Sequence, residues 1–227
     1  MQKRRLPPDF DPRNVPLIGT DSHLPAVSRD RIAPDALLQR FKTPPAWLPE
    51  VKTEPRFTDR PMQAAAVLMA LVMHERPTLL LTQRALHLSS HGGQVAFPGG
   101  KLDAGDKDAV DAALREAHEE VGLRAEELQV LGVLPQYVTG SAFVVTPVVA
   151  CMQPGYTWSA NPHEVEKVFE VPLDFVLNPS NHRRHLWEFE GETREWFSMP
   201  YSNGVEEHYI WGATAGMLRN FYRFLMA

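Results

Sequence analysis

The chain has 227 residues, 44% of them hydrophobic, enough for one sizeable core with extensions. A formal net charge of −5 opposes binding to a polyanion such as nucleic acid and leaves room only for a local basic pocket that takes a small phosphate ester. The single cysteine, Cys151, excludes a disulfide framework and a thiolate metal cluster, and its setting in Val148-Val149-Ala150-Cys151 reads as a buried strand.

Met1-Gln2-Lys3-Arg4-Arg5 carries charge like a signal peptide, but Leu6-Pro7-Pro8-Asp9 follows in place of an apolar segment. Eleven of the 20 prolines fall between Pro7 and Pro61, so residues 1–60 are expected to form a proline-rich N-terminal extension with one short helix over 35–41. The domain proper is expected over 61–227. Its first strand, 64–73, is also the longest apolar run, and its ten residues are too short to span a bilayer. A cytoplasmic protein without a membrane partner is the default. A turn at Glu75-Arg76-Pro77 leads to a strand over 79–83, and a short strand over 95–97 ends in a loop at Pro98-Gly99-Gly100.

A helix is predicted over 107–121, with Asp106 or Asp108 as its cap and Gly122 as its left-handed stop. Two central strands, 128–138 and 143–152, are separated by Thr139-Gly140-Ser141, and a loop covers 153–162. Then come a strand over 164–171, a helical turn over 173–177, a hairpin of 184–189 and 193–199 around Gly191, and a last helix over 210–225. This order predicts a mixed β-sheet with helices on both faces.

The helix over 107–121 concentrates charge. On a helical wheel Glu116, Glu119 and Glu120 share a sector of about 100°, apart from an apolar stripe of Val110, Leu114, Ala117 and Val121. Each anion near the negative helix pole costs about 0.3–1 kcal/mol, and the Glu116–Glu120 repulsion adds about 0.2–0.5. Arg115 offsets part of this by an ion pair that orients Glu119. Converging oxygen donors without nitrogen or sulfur suit Mg²⁺ or Mn²⁺ better than zinc. The competing reading is a solvated acidic face.

Gly99-Gly100, acidic Asp103 and Asp106, and then Arg115-Glu116-x-x-Glu119-Glu120-x-Gly122-Leu123 resemble the Nudix box. Asp106 stands where the general box has Glu, and eight residues separate it from Arg115. Upstream, Leu80-Leu81-Thr82-Gln83-Arg84-Ala85 with Gly93-Gln94-Val95-Ala96-Phe97-Pro98-Gly99-Gly100 resembles the signature of the coenzyme A pyrophosphatase branch, which shares the longer aspartate form. Ser89 occupies a position where that branch has arginine. Looser likeness extends through Asn161-Pro162-x-Glu164-Val165 and Ile210-Trp211-Gly212.

The resemblance implies an α/β/α sandwich and hydrolysis of a nucleoside diphosphate linked to another group, with coenzyme A as the expected substrate. It further implies Mg²⁺ or Mn²⁺ held by Glu116, Glu119, Glu120 and the Gly100 carbonyl. Glu116, Glu119, Glu120 and Glu164 would be catalytic, with Glu164 as a late base, and Arg84, Gly99 and Gly100 would contact substrate. Arg84 otherwise reads as a surface strand charge, and Glu164 as an ordinary strand-edge charge. His182, Arg183, Arg184 and His185 read as a solvated hairpin edge. Tyr137, Trp211, Phe221 and Tyr222 read as core or dimer packing more than as an adenine platform, and a homodimer is an admissible assembly. The competing functions are the same chemistry on ADP-ribose, NADH, a dinucleoside polyphosphate or a nucleoside triphosphate, and a non-catalytic nucleotide sensor or scaffold.

Overall fold

The computed structural model describes residues 7, 10–88, 90–189 and 191–227, so the expectations for residues 1–6 and for Ser89 lie outside the described residues. In chain order the elements are β1 (Leu17–Thr20), α1 (Pro34–Lys42), β2 (Gln63–Val72), β3 (Thr78–Arg84), β4 (Val95–Ala96), β5 (Gly99–Lys101), α2 (Ala109–Val121), β6 (Gln129–Val133), β7 (Tyr137–Val138) and β8 (Phe143–Met152). They continue with β9 (Val165–Pro172), α3 (Leu173–Val176), β10 (Arg183–Phe189), β11 (Glu192–Ser202), β12 (Glu207–Trp211) and α4 (Gly212–Met226).

The larger sheet is mixed, as expected. Its backbone order is β4-β3-β2-β8-β6, with β5 on β2, β7 on β8 and β9 on β3. β2 and β8 run parallel from Gln63 opposite Phe143 to Val72 opposite Met152, and the other pairs are antiparallel. Both central strands are buried on both faces, which is why they read as continuous apolar runs. Ala66, Leu68, Ala70 and Val72 pack with Ala112, Ala113, Ala117 and Val121 of α2. Alternate residues Met69, Leu71, Val145 and Val149 join Leu218, Phe221 and Leu225 of α4 on the other side. Helices therefore cover both faces. No helix of the described residues is long and apolar enough to cross a membrane.

The described residues of the amino-terminal segment are tied to this core. Val27, Ile32 and Leu37 are buried within it, and β1 joins a second sheet of order β1-β10-β11-β12, whose β10–β11 hairpin was expected while β1 and β12 were not. Further along, Gly99 and Gly100 are not loop residues: they form β5, antiparallel to Val67 and Ala66. The segment expected as one strand over 128–138 divides into β6 and β7, both paired with β8, around Leu134-Pro135-Gln136. Proline cannot donate to a ladder, so the break falls beside it. The last helix starts at Gly212, and Ile210 and Trp211 belong instead to β12.

The solvated edge expected at residues 182–185 holds for Arg183, which is exposed, and is corrected for the other three. His182 and His185 are buried, and Arg184 pairs with Asp21, Glu50 and Glu195. Arg219 of α4, 2% exposed at its side chain, reaches Asp21 and Glu50 from the other side. The charges of the amino-terminal segment, β10 and α4 thus satisfy one another in the interior, as buried charge requires.

Candidate active site

Asp108 caps α2, accepting from the amides of Val110 and Asp111 at 2.8 and 2.9 Å. At the other end Gly122 takes φ +73°, and its amide closes onto the carbonyl of His118. The helix is seated by small residues: Ala112, Ala113 and Ala117 let its backbone approach β2 closely. That seating rotates the charged face relative to the wheel's reading. Glu120 goes inward with Ala117 and Val121 and is 3% exposed, whereas Val110 and Leu114 remain partly exposed.

Glu120 meets the double-glycine strand. The Gly99 amide donates to its Oε2 at 3.1 Å, and Arg84 Nη1 lies 3.6 Å from its Oε1. Burial outweighs these contacts and pushes its carboxyl up to about 7. Glu116 lies one turn earlier with its carboxylate against Gly100, in the space that a Cβ on that glycine would need. Partial burial raises its pKa too.

Arg115 organises the outer part of the site. Its guanidinium holds Asp106 through Nε and Nη2 at 2.9 and 3.0 Å, Glu119 through Nη1 at 3.0 Å and the Lys101 carbonyl at 3.0 Å, with Glu116 Oε1 3.0 Å away. The hydrogen bonds from Arg115 hold the Asp106 carboxyl down at about 2. Asp106 is therefore an anchor for Arg115, which explains how an aspartate at longer spacing serves here.

Glu164 sits immediately before β9, with its carbonyl accepting from the Ala85 amide at 2.9 Å. That contact sets it next to the residue that follows Arg84, and its charge lies near enough to Glu116 and Glu120 to oppose their ionisation. The structure thus brings Glu116, Glu120, Glu164, Arg84, Gly99 and Gly100 together. Glu119 is 53% exposed at its side chain and turned onto Arg115. Among the described residues no three His, Cys, Asp or Glu side chains converge as a ready-made ion site, because arginines occupy the intervening positions. The donor set still fits a hard divalent cation. A buried carboxylate whose ionisation is opposed by burial, beside a second carboxylate wedged against a glycine, is stabilised by an added positive charge.

Sequence reasoning missed Glu54. Its carboxylate accepts from Tyr137 Oη at 2.7 Å and the Gly140 amide at 2.8 Å, and burial raises its pKa. Glu54 lines the cleft that also contains Arg84, Gly99 and Gly100. A glutamate in a proline-rich stretch carries no periodicity that would mark it.

A family model described as the NUDIX domain matches residues 62–203. The uncharacterized Nudix hydrolase NudL of Salmonella dublin is 39% identical over 196 residues, which cover 85% of this chain and 95% of the relative. NudL of Salmonella heidelberg matches with the same identity and coverage. Among solved structures, the Nudix hydrolase RenU of M. smegmatis is 28% identical over 51% of this chain and 73% of its own, with a TM-score of 0.44. A C. elegans Ap4A hydrolase binary complex is 22% identical over 52% of this chain and 86% of its own, with a TM-score of 0.43. With a glutamate helix seated on a double-glycine strand and a family match over most of its length, the chain belongs to the Nudix hydrolase family.

Proposed function

We propose that this Nudix hydrolase cuts the diphosphate of coenzyme A or its derivatives, giving phosphopantetheine and adenosine 3′,5′-bisphosphate. Nudix hydrolases generally use divalent metal ions, and family membership supports pyrophosphohydrolase chemistry. The substrate reading is supported by one observation: the two halves of the branch signature meet where Thr82 and Gln83 of β3 pair with Ala96 and Val95 of β4, and Arg84 lies beside Glu120.

Glu116 and Glu120, with the Gly100 carbonyl and Glu119, would hold Mg²⁺ or Mn²⁺. When bound, the ion neutralises phosphoryl charge and acidifies water. Arg84, 29% exposed at its side chain, would hold a non-bridging phosphoryl oxygen and keep the diphosphate in line for attack. Glu164 takes the proton as the water oxygen bonds to phosphorus and the bridging P–O bond breaks. Arg115 fixes the Glu119 carboxylate. A small-molecule substrate, a cytoplasmic location, no nucleic acid or membrane partner and a homodimer complete the proposal.

Incubation of the folded protein with coenzyme A and Mg²⁺, followed by separation of products, tests it. Release of the bisphosphate is the expected result. Turnover of ADP-ribose, NADH, a dinucleoside polyphosphate or a nucleoside triphosphate in its place would overturn the substrate, and no turnover of any of them would favour a nucleotide sensor.

A further inference from the structure

The cleft beside Glu120 has a volume of about 760 Å³, within the usual range for small-molecule sites, and one of its walls comes from the amino-terminal segment. Phe57 and Arg60 line it together with Arg84, Gly99 and Gly100. They lie before residue 62, where the family-matched region begins.

That wall is fixed to the domain at every step. The Glu54 amide donates to Val138 O at 2.8 Å, the Val138 amide to Lys52 O at 2.9 Å and the Phe57 amide to Gly140 O at 3.0 Å. Gly140 has no room for a side chain, because a Cβ there would strike the Phe57 ring and the Pro55 carbonyl. From β11, Arg194 donates to Pro55 O at 3.0 Å and sets its guanidinium 5.2 Å from the Phe57 centroid. Such anchoring sets the ring's position before any ligand arrives, which limits the ordering cost of binding.

Register gives the scale. Gly99 pairs with Val67, and Phe143, at the end of the Gly140 turn, pairs with Gln63. Four residues of β2 separate those positions, about 13 Å at strand rise. A ligand whose diphosphate lies at the glycines and which fills the cleft as far as Phe57 must carry a further group on that diphosphate. An aromatic ring backed by a guanidinium favours a planar partner.

We infer that Phe57, with Arg60 beside it, is a specificity-determining residue of this chain: it stacks on the nucleobase of the substrate whose diphosphate lies at Gly99 and Gly100. The inference rests on the diphosphatase reading above, and its test separates the two. Phe57→Leu keeps apolar volume against Gly140 while removing the π face, and Phe57→Tyr restores it.

Adenosine 5′-monophosphate has no diphosphate to cut, so calorimetric titration with it reads binding without turnover. The expected result is a Kd about 3- to 10-fold weaker for Phe57→Leu and near wild type for Phe57→Tyr. In coenzyme A cleavage, KM should rise by a similar factor with kcat held. Unchanged Kd and KM in a Phe57→Leu protein that melts like wild type would overturn the inference and leave the diphosphatase reading standing. A Phe57-dependent Kd in a protein that cuts no diphosphate would overturn that reading and leave the base contact intact.

Discussion

The Glu116 carboxylate occupies the space that a side chain on Gly100 would need. The glycine is therefore required by the acid opposite it, and an alanine would push that acid out of position. Gly100→Ala should lower the rate of diphosphate cleavage by about 10- to 100-fold, the scale seen when the surroundings of a metal ligand are disturbed. Initial rates at saturating Mg²⁺ check this, with an unchanged circular dichroism spectrum as control. Gly99→Ala should instead lower the melting temperature, since its Cβ would meet the Ala66 carbonyl and the Val67 backbone of β2.

Glu120→Gln removes a charge that burial opposes while keeping the shape that accepts from the Gly99 amide. Activity should fall by about 100-fold or more, with the losses of about 10- to 100-fold from disturbing a ligand's surroundings as a floor. In metal-free buffer the variant should melt no lower than the parent. Full turnover in both Glu120→Gln and Glu116→Gln would remove these residues from the mechanism.

Glu164 lies outside the helix, and its charge opposes ionisation of buried Glu120 and half-buried Glu116. As the proposed proton acceptor it should affect chemistry more than binding. Glu164→Gln is expected to lower kcat by about 100-fold or more with little change in KM, the range for loss of a general base. Steady-state kinetics with coenzyme A decides; a change confined to KM would make it a binding residue.

His182 sets a pH limit on stability. Its Nδ1 accepts from Arg219 at 3.1 Å and its Nε2–H donates to Val176 O at 2.8 Å, which defines a neutral imidazole. Burial, with Arg219 next to it, depresses its pKa from 6.5 to about 4. Between those values the unfolded chain binds a proton that the folded chain does not, so stability is full above pH 6.5 and falls as the pH drops toward 4. The loss is on the order of 3 kcal/mol. Urea titrations at pH 7 and pH 4.5 should show it, and His182→Gln should reduce the difference.

Arg219→Met should destabilise the protein by about 3 kcal/mol, the lower end of the cost of unpairing a buried charge, because Arg184 still contacts both carboxylates. Denaturant midpoints measure the effect. Restoring neutrality with Asp21→Asn in the same protein should recover part of it.

The sequence was most legible where the pattern is local. The Asp108 cap, the Gly122 stop and the apolar runs of β2 and β8 are contained in short windows, and the helix and central strands fall where those windows place them. The inward turn of Glu120 was hidden, because a wheel separates faces without saying from which side the sheet approaches. β12 was hidden because Glu207 to Trp211 runs directly into α4, which begins at Gly212. The Asp21–Arg184 pair joins residues 163 positions apart, a separation that no local pattern encodes. Glu54 and Phe57 share that difficulty: their roles come from Tyr137, Gly140 and Arg194, far along the chain.

The attachment of the amino-terminal segment to α4 also bears on how the molecule is made. Val51 exchanges two hydrogen bonds with Asn220, Tyr222 Oη donates to Pro25 O, and Arg31 and Arg40 both donate to the Leu225 carbonyl. A ribosome must add the 185 residues between Arg40 and Leu225 before that last contact can form, roughly 10–40 s at about 5–20 residues per second. Through that interval the side of the amino-terminal segment that meets Leu225 stays uncovered, so the nascent chain should be a client of holdase chaperones until α4 has been made.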